Sequence, residues 1–197
     1  MAHNIQDSDL SLVLASQNGN RDAFEKLVIK YQNRIFNALL RMIGDYETAL
    51  DLCQDTFLKA YQNLGGFQRK STFFTWLFRI SINVATTKKR QYSTRPRSYS
   101  LSQYDSEKSL EMNEFRAKES SPRQSLQEQE DRDILYQEIS SLPHEFRTAL
   151  VLRDIEGLSY EEIQNILECP IGTVRSRLHR ARLILKDRLA NTHLVES

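Results

Sequence analysis

A chain of 197 residues with a formal charge of +1 is not built as a general polyanion binder, since proteins of that kind carry a large field of one sign. Hydrophobic side chains make up 40% of it against six glycines and four prolines, which supplies core for one large domain or two small ones and favours helices over a turn-rich β fold. Cys53 and Cys169 stand at no metal-ligand spacing, the opening Met1-Ala-His-Asn-Ile-Gln-Asp7 lacks a basic-then-apolar leader, and no run approaches the ~20 apolar residues that cross a bilayer, so reduced thiols in a cytosolic protein are expected.

The small net charge conceals segregation. Between Thr56 and Tyr104 there are nine Lys or Arg and no acid, residues 105–133 hold nine acids against five bases, and positive charge returns over 170–188. Two basic surfaces separated by an acidic connector are expected.

In chain order, residues 21–43 place Phe24, Leu27, Val28, Tyr31, Ile35, Leu39 and Ile43 on one helical stripe. Residues 46–63 repeat the pattern with Ala49, Leu52, Cys53, Phe57, Ala60 and Leu64 before Gly65-Gly66 stops it, leaving Asp45, Glu47, Asp51, Gln54 and Asp55 outside. A third helix, capped by Ser71, runs to about Arg90. Its core stripe is Phe73, Leu77, Ile80 and Val84, while Phe74, Phe78 and Ile82 form a second apolar face that other helices must cover. Ahead of it, Phe67 beside Arg69, Lys70, Ser71 and Thr72 combines a ring with small and basic groups, which suits stacking on an unpaired base next to its phosphates.

From Gln91 to about Gln127 the sequence is rich in Ser, Gln and charge with almost no aliphatic residues, a flexible linker. Such a chain spans roughly 30 Å when relaxed and more than roughly 100 Å when extended, so a flexible pair of domains is expected, over 1–91 and 128–197 with 92–127 between them. Beyond it, Ile134, Leu135, Ile139 and Leu142 mark a short helix. Pro143 opens the next, which buries Phe146, Ala149, Leu150, Leu152 and Ile155 and ends at Gly157. Ser159-Tyr-Glu-Glu162 is a capping box for a helix ending near Leu167, Glu168-Cys-Pro170 makes a turn, and a last helix runs to Leu189.

Two short helices across a tight turn, the second basic, form a helix-turn-helix. Val174, Leu178, Ala181 and Leu185 face inward, and Ser176, His179 and Arg180 face away, flanked by Arg175 on one side and by Thr173 and Arg177 on the other. These side chains reach phosphates and guanine edges in a major groove. A stand-alone dimeric regulator of duplex DNA is the alternative, although it leaves the aromatic basic block idle. No nucleophile and base are placed together and no Gly-rich phosphate loop exists, so catalysis, a metal, a cofactor and a small-molecule substrate are not expected.

The succession Asp51-Leu-Cys-Gln-Asp-Thr-Phe-Leu-Lys-Ala-Tyr61, Ser71-Thr-Phe-Phe-Thr-Trp-Leu-Phe-Arg-Ile80, Leu142-Pro, Leu158-Ser-Tyr-Glu-Glu-Ile163 and Gly172-Thr-Val-Arg-Ser-Arg177 resembles a bacterial sigma factor of the extracytoplasmic-function group of the sigma-70 family. The resemblance implies an all-α fold of a sigma-2 helical bundle and a sigma-4 helix-turn-helix domain. It implies binding to core RNA polymerase, to its beta subunit and to its beta-prime coiled coil, the latter through Asp51, Gln54, Asp55 and Lys59. Opening of the minus-10 promoter element falls to Phe67, Arg69, Lys70, Ser71, Thr72, Trp76, Arg79 and Asn83, with Lys88, Lys89 and Arg90 on the flanking backbone and Phe67 and Asn83 as the base pocket. The minus-35 element falls to Thr173, Arg175, Ser176, Arg177, His179 and Arg180, with His179 and Leu183 where promoter preference is set. No separate inhibitory segment is expected ahead of residue 21. Restraint then falls to an anti-sigma factor that masks both domains and can hold this cytoplasmic protein at the inner membrane.

Overall fold

The computed structural model describes residues 2–93, 131 and 134–191, with the side chains of 2–8, 89–93 and 191 left out of that description. The described residues hold helices and turns without a strand, as an all-α fold requires. The expected linker lies outside them, apart from the end of the fourth helix.

The first unit has four helices: α1 (Ala2–Gln17), α2 (Arg21–Ile43), α3 (Tyr46–Asn63) and α4 (Phe73–Ser93). α2 starts where Asn20 Oδ1 accepts the Ala23 N–H at 3.1 Å and stops at Gly44, whose φ of 81° closes the helix without a side-chain penalty. Asp45 caps α3 through the Thr48 N–H at 2.8 Å. Leu27, Ile35 and Leu39 of α2 pack on Ala49, Leu52 and Ala60 of α3, all nearly inaccessible to solvent. The expected stripes of both helices are the core of this unit.

Three features of the first unit depart from the sequence reading. α1 precedes the expected helices and is tied down by polar anchors as well as by buried Val13: Lys30 and the Tyr31 hydroxyl both donate to Asp9, and Gln17 Nε2 donates to the carbonyls of Leu64 and Phe67 at 2.9 and 3.1 Å. Thr72, not Ser71, caps α4, its Oγ1 accepting the Thr75 N–H at 3.0 Å, because Phe73 is already helical and buried. The Ser71 hydroxyl instead donates to the Thr72 carbonyl. The second apolar face of α4 is covered as expected: Phe74 stacks on Tyr31 at 5.4 Å and meets Phe78 edge-on at 4.8 Å.

The second unit comprises α5 (134–140), α6 (His144–Leu150), a π-helical turn over Val151–Ile155, α7 (Tyr160–Leu167) and α8 (Ile171–Asn191). Ile155, expected in the core, is 37% exposed, while Glu156 is buried. The wide turn adds a residue to the register and swings the position after it inward, with the Glu156 N–H bonded to the Val151 carbonyl at 2.9 Å. Gly157 (φ 75°) then reverses the chain, and the predicted capping box forms: Glu162 N–H to Ser159 Oγ at 3.1 Å and Ser159 N–H to Glu162 Oε2 at 2.9 Å.

The two units pack against each other, α4 on α7 and α2 on α6 and the π-helical turn. Arg147 Nη1 donates to the Met42 carbonyl at 3.1 Å, Arg34 meets Glu156, Thr75 meets Glu162 and Arg79 meets Glu168. A flexible pair had been expected from linker composition, which carries no information about the complementarity of the surfaces it joins. Core deletion separates these contributions. Phe78→Ala, at a position with no exposed surface, should cost about 3–5 kcal/mol in urea unfolding, and Leu183→Ala, at 51% exposure, within about 0.5 kcal/mol.

Candidate nucleic-acid interface

The inward stripe of α8 (Val174, Leu178, Ala181, Leu185) is buried against α6 and α7 and aims the opposite face at solvent. Arg175, Ser176, His179 and Arg180 are exposed there, joined by Leu183. The Ser176 hydroxyl is turned back onto the Thr173 carbonyl at 3.0 Å, and Thr173 is half-buried. Arg177 does not share the open face: its Nη2 donates to Glu145 Oε2 at 2.9 Å, and its Nη1 lies 3.9 Å from Cys169 Sγ. Five positions further along the helix, Arg182 grips Asp154 through two bonds of 3.0 and 2.6 Å, which raise its already high pKa and fix α8 to the end of the π-helical turn.

The aromatic and basic block is arranged differently from its expected form. Phe67 is 7% exposed, its ring centroid 4.9 Å from Trp76 and 6.0 Å from Phe73. The tight 3₁₀ turn over Leu64–Gly66 folds the chain back and slides this ring beneath α4, so Phe67 is a packing residue here and not the open stacking platform that loop composition suggested. Arg69, Lys70 and Ser71 are exposed in the loop, with Arg69 in the left-handed region at φ 60°, while Thr72 is occupied as the cap and Trp76 is half-buried. Arg79 is exposed but paired with Glu168 at 2.6 Å. Asn83 opens into a crevice of about 240 Å³ between the units. Lys88 donates to Asp51 at 3.2 Å, and Lys89 and Arg90 lie on the last turns of α4, their side chains outside the description.

On the outer face of α3, Asp51, Gln54, Asp55 and Lys59 are all exposed, as expected. Leu58 (57%) and Tyr61 (45%) lie among them, and the sequence reading missed both. Leu58 falls off the buried stripe of its helix, which was the available signal. Apolar side chains ringed by acids and amides have the composition of a protein-docking surface rather than of a nucleic-acid surface.

The cysteines are unpaired, and no group of three or more His, Cys, Asp or Glu side chains converges among the described residues. Burial pushes the Cys53 thiol up to about 11, leaving it protonated and unreactive at neutral pH. Glu162 is the more informative group. Burial acts to raise its carboxyl, but bonds from the Thr75 hydroxyl and from the Ser159 amide and hydroxyl outweigh it and hold the carboxyl below its ordinary range.

A four-helix unit with a basic aromatic helix and an acidic docking face, packed on a helix-turn-helix with an open recognition helix, defines a nucleic-acid-binding protein with a second, protein-binding surface. Residues 27–95 match the family described as "Sigma-70 region 2", and residues 132–185 the family described as "Sigma-70, region 4". The chain is 41% identical over 177 residues to the RNA polymerase sigma-H factor of Pseudomonas aeruginosa, covering 90% of this chain and 91% of that one. It is 35% identical over 184 residues to the ECF RNA polymerase sigma-E factor of Haemophilus influenzae, covering 93% and 96%. Among solved structures, the sigma factor RpoE in complex with the anti-sigma factor NepR from Bartonella quintana aligns with a TM-score of 0.61 and 24% identity, over 85% of this chain and 96% of that one. The chain belongs to the sigma-70 family of RNA polymerase sigma factors, in its extracytoplasmic-function group. The match through 27–95 overturns the alternative of a stand-alone helix-turn-helix regulator, and the family is not known for catalysis.

A carboxyl held below its ordinary value contributes stability above that value, about 4.3 for Glu, and loses it as pH falls through the depressed one. Acid titration by circular dichroism should therefore show loss of helicity beginning below about pH 4, and Glu162→Gln should flatten that part of the curve.

Proposed function

We propose that this chain directs promoter-specific initiation by core RNA polymerase through three separate surfaces. The outer face of α3, with Asp51, Gln54, Asp55, Leu58, Lys59 and Tyr61, docks on the beta-prime coiled coil. The loop over 67–72 and α4, with Arg69, Lys70, Trp76, Arg79 and Asn83, opens and holds the minus-10 element. The exposed side of α8, with Arg175, His179 and Arg180, reads the minus-35 element. Residues 1–91 and 128–197 form the corresponding domains with 92–127 as their connector, and the protein works in the cytoplasm, without catalysis of its own, under an anti-sigma factor. Family membership across nine-tenths of the chain carries the reading, and the separation of an apolar acidic face from two basic ones supports it. For localisation, among the described residues no helix is long and apolar enough to cross a membrane. For restraint, the RpoE structure is that of a sigma factor with its anti-sigma factor.

Run-off transcription by core polymerase on a fragmented genomic library, with RNA 5′ ends sequenced, should show new starts sharing two upstream motifs at fixed spacing. Absence of new starts, with tight binding of the protein alone to duplex DNA, would overturn the proposal. Leu58→Asp should weaken association with core polymerase at least about tenfold without changing helicity. Arg175→Ala and Arg180→Ala should each cost about 1–3 kcal/mol in binding of the promoter by the holoenzyme if they read bases. If they contact phosphates, each should instead lower the salt dependence by about one unit.

A further inference from the structure

The loop proposed to open the minus-10 strand hangs between two fixed points. At its exit Thr72 caps α4 by accepting the Thr75 N–H at 3.0 Å. At its entry the chain leaves the 3₁₀ turn over Leu64–Gly66, where the end of a helix leaves carbonyls short of donors. One side chain serves two of them: Gln17 Nε2, on the last residue of α1, donates to the Leu64 carbonyl at 2.9 Å and to the Phe67 carbonyl at 3.1 Å. Gln68, Arg69, Lys70 and Ser71 lie exposed between the two points. Arg69 sits there at φ 60°, a conformation that a non-glycine residue keeps only where its surroundings hold it.

Asp9, nearer the start of α1, reaches the same region by a second route. It is 8% exposed and accepts from both Lys30 and the Tyr31 hydroxyl. The Tyr31 ring so oriented lies 5.8 Å from Phe73 and stacks on Phe74 at 5.4 Å, in the first turn of α4. Phe73 lies in turn 6.0 Å from Phe67 and 5.6 Å from Trp76. α1 thus holds the loop's entry by its backbone and the aromatic floor under its exit by a ring, although it lies ahead of residues 27–95 that match region 2. Resting on the sigma-factor reading above, we infer that α1 is a brace for the minus-10 loop and that Gln17 is a positioning residue for promoter opening. It acts through the loop, fixing the direction in which Arg69 and Lys70 meet the unpaired strand. A carboxamide suits the task, because the two hydrogens of one nitrogen serve two acceptors, whereas a carboxylate would repel both carbonyls and an apolar side chain would leave them bare. A loop held at one end only has more placements to lose, and the strand must then supply the ordering that Gln17 supplies in advance.

Gln17→Met keeps the length of the side chain and removes both donors. Val13→Ala, at a buried position of the same helix, weakens the packing of α1 but leaves the loop contacts in place, and urea unfolding puts the two variants on one stability scale. Trp76 is the chain's one tryptophan and its ring lies 4.9 Å from Phe67, so acrylamide quenching of its fluorescence in the full chain reports the seating of the loop. Gln17→Met should be quenched more strongly than the wild type, and Val13→Ala should match the wild type. In run-off transcription with core polymerase on the genomic library, Gln17→Met should lower the yield at the new starts at least about tenfold, and Val13→Ala far less. Added to Lys70→Ala, Gln17→Met should cost little more, since both act through one loop. Wild-type quenching or wild-type yield from Gln17→Met overturns the brace, as do equal losses from Val13→Ala or losses with Lys70→Ala that add in full. Gln17→Asn, an amide one methylene too short to span both carbonyls, serves if Gln17→Met does not fold. New starts from the wild type without the Gln17 effect sink the brace alone, whereas no new starts from any preparation sink the sigma-factor reading and the brace with it.

Discussion

Both oxygens of the Glu162 carboxylate are committed, and much of the architecture hangs on that double use. Oε2 closes the capping box at the start of α7, while Oε1 reaches Thr75, whose backbone N–H is the one that Thr72 uses to start α4. One side chain thus links the starts of the helix that crosses behind the recognition helix and the helix that carries the aromatic block. Thr75 is itself buried, so the bond lies where water competes poorly and a lost partner leaves an unsatisfied polar group. The depressed carboxyl of Glu162 reports the same commitment from the electrostatic side.

What was legible in the sequence was periodic or local. The stripes of α2 and α3, the capping box at Ser159, the turn at Glu168-Cys-Pro170 and the inward line of α8 each depend on spacings of a few residues, and each stands in the structure as read. Phe67 and Ile155 were misplaced, and the ion pair of Arg177 on its flank was not readable, because tertiary geometry decided them. A 3₁₀ turn slid Phe67 under α4, an extra residue in a π-helical turn exchanged Ile155 for Glu156, and a carboxylate 32 positions away claimed Arg177. α1 escaped for a related reason: its attachment is largely polar, through Asp9 and Gln17, and leaves no strong apolar stripe.

The interface between the units shows how a mixed surface can be both specific and separable. An apolar interface of the same extent would gain stability with every buried methyl, and once parted it would expose a patch prone to association. Here Glu156 meets Arg34 and Arg41 on α2 while Glu162 and Glu168 meet Thr75 and Arg79 on α4, so register is set by polar geometry while net adhesion stays modest. Arg79 is engaged in this way across the interface, while Arg177 is held within the second unit by Glu145; both are basic groups on elements proposed to touch DNA. The acidic and apolar face of α3 stays uncovered in this packing, so Leu58 and Tyr61 remain open to solvent while α2 and α4 are engaged with the second unit.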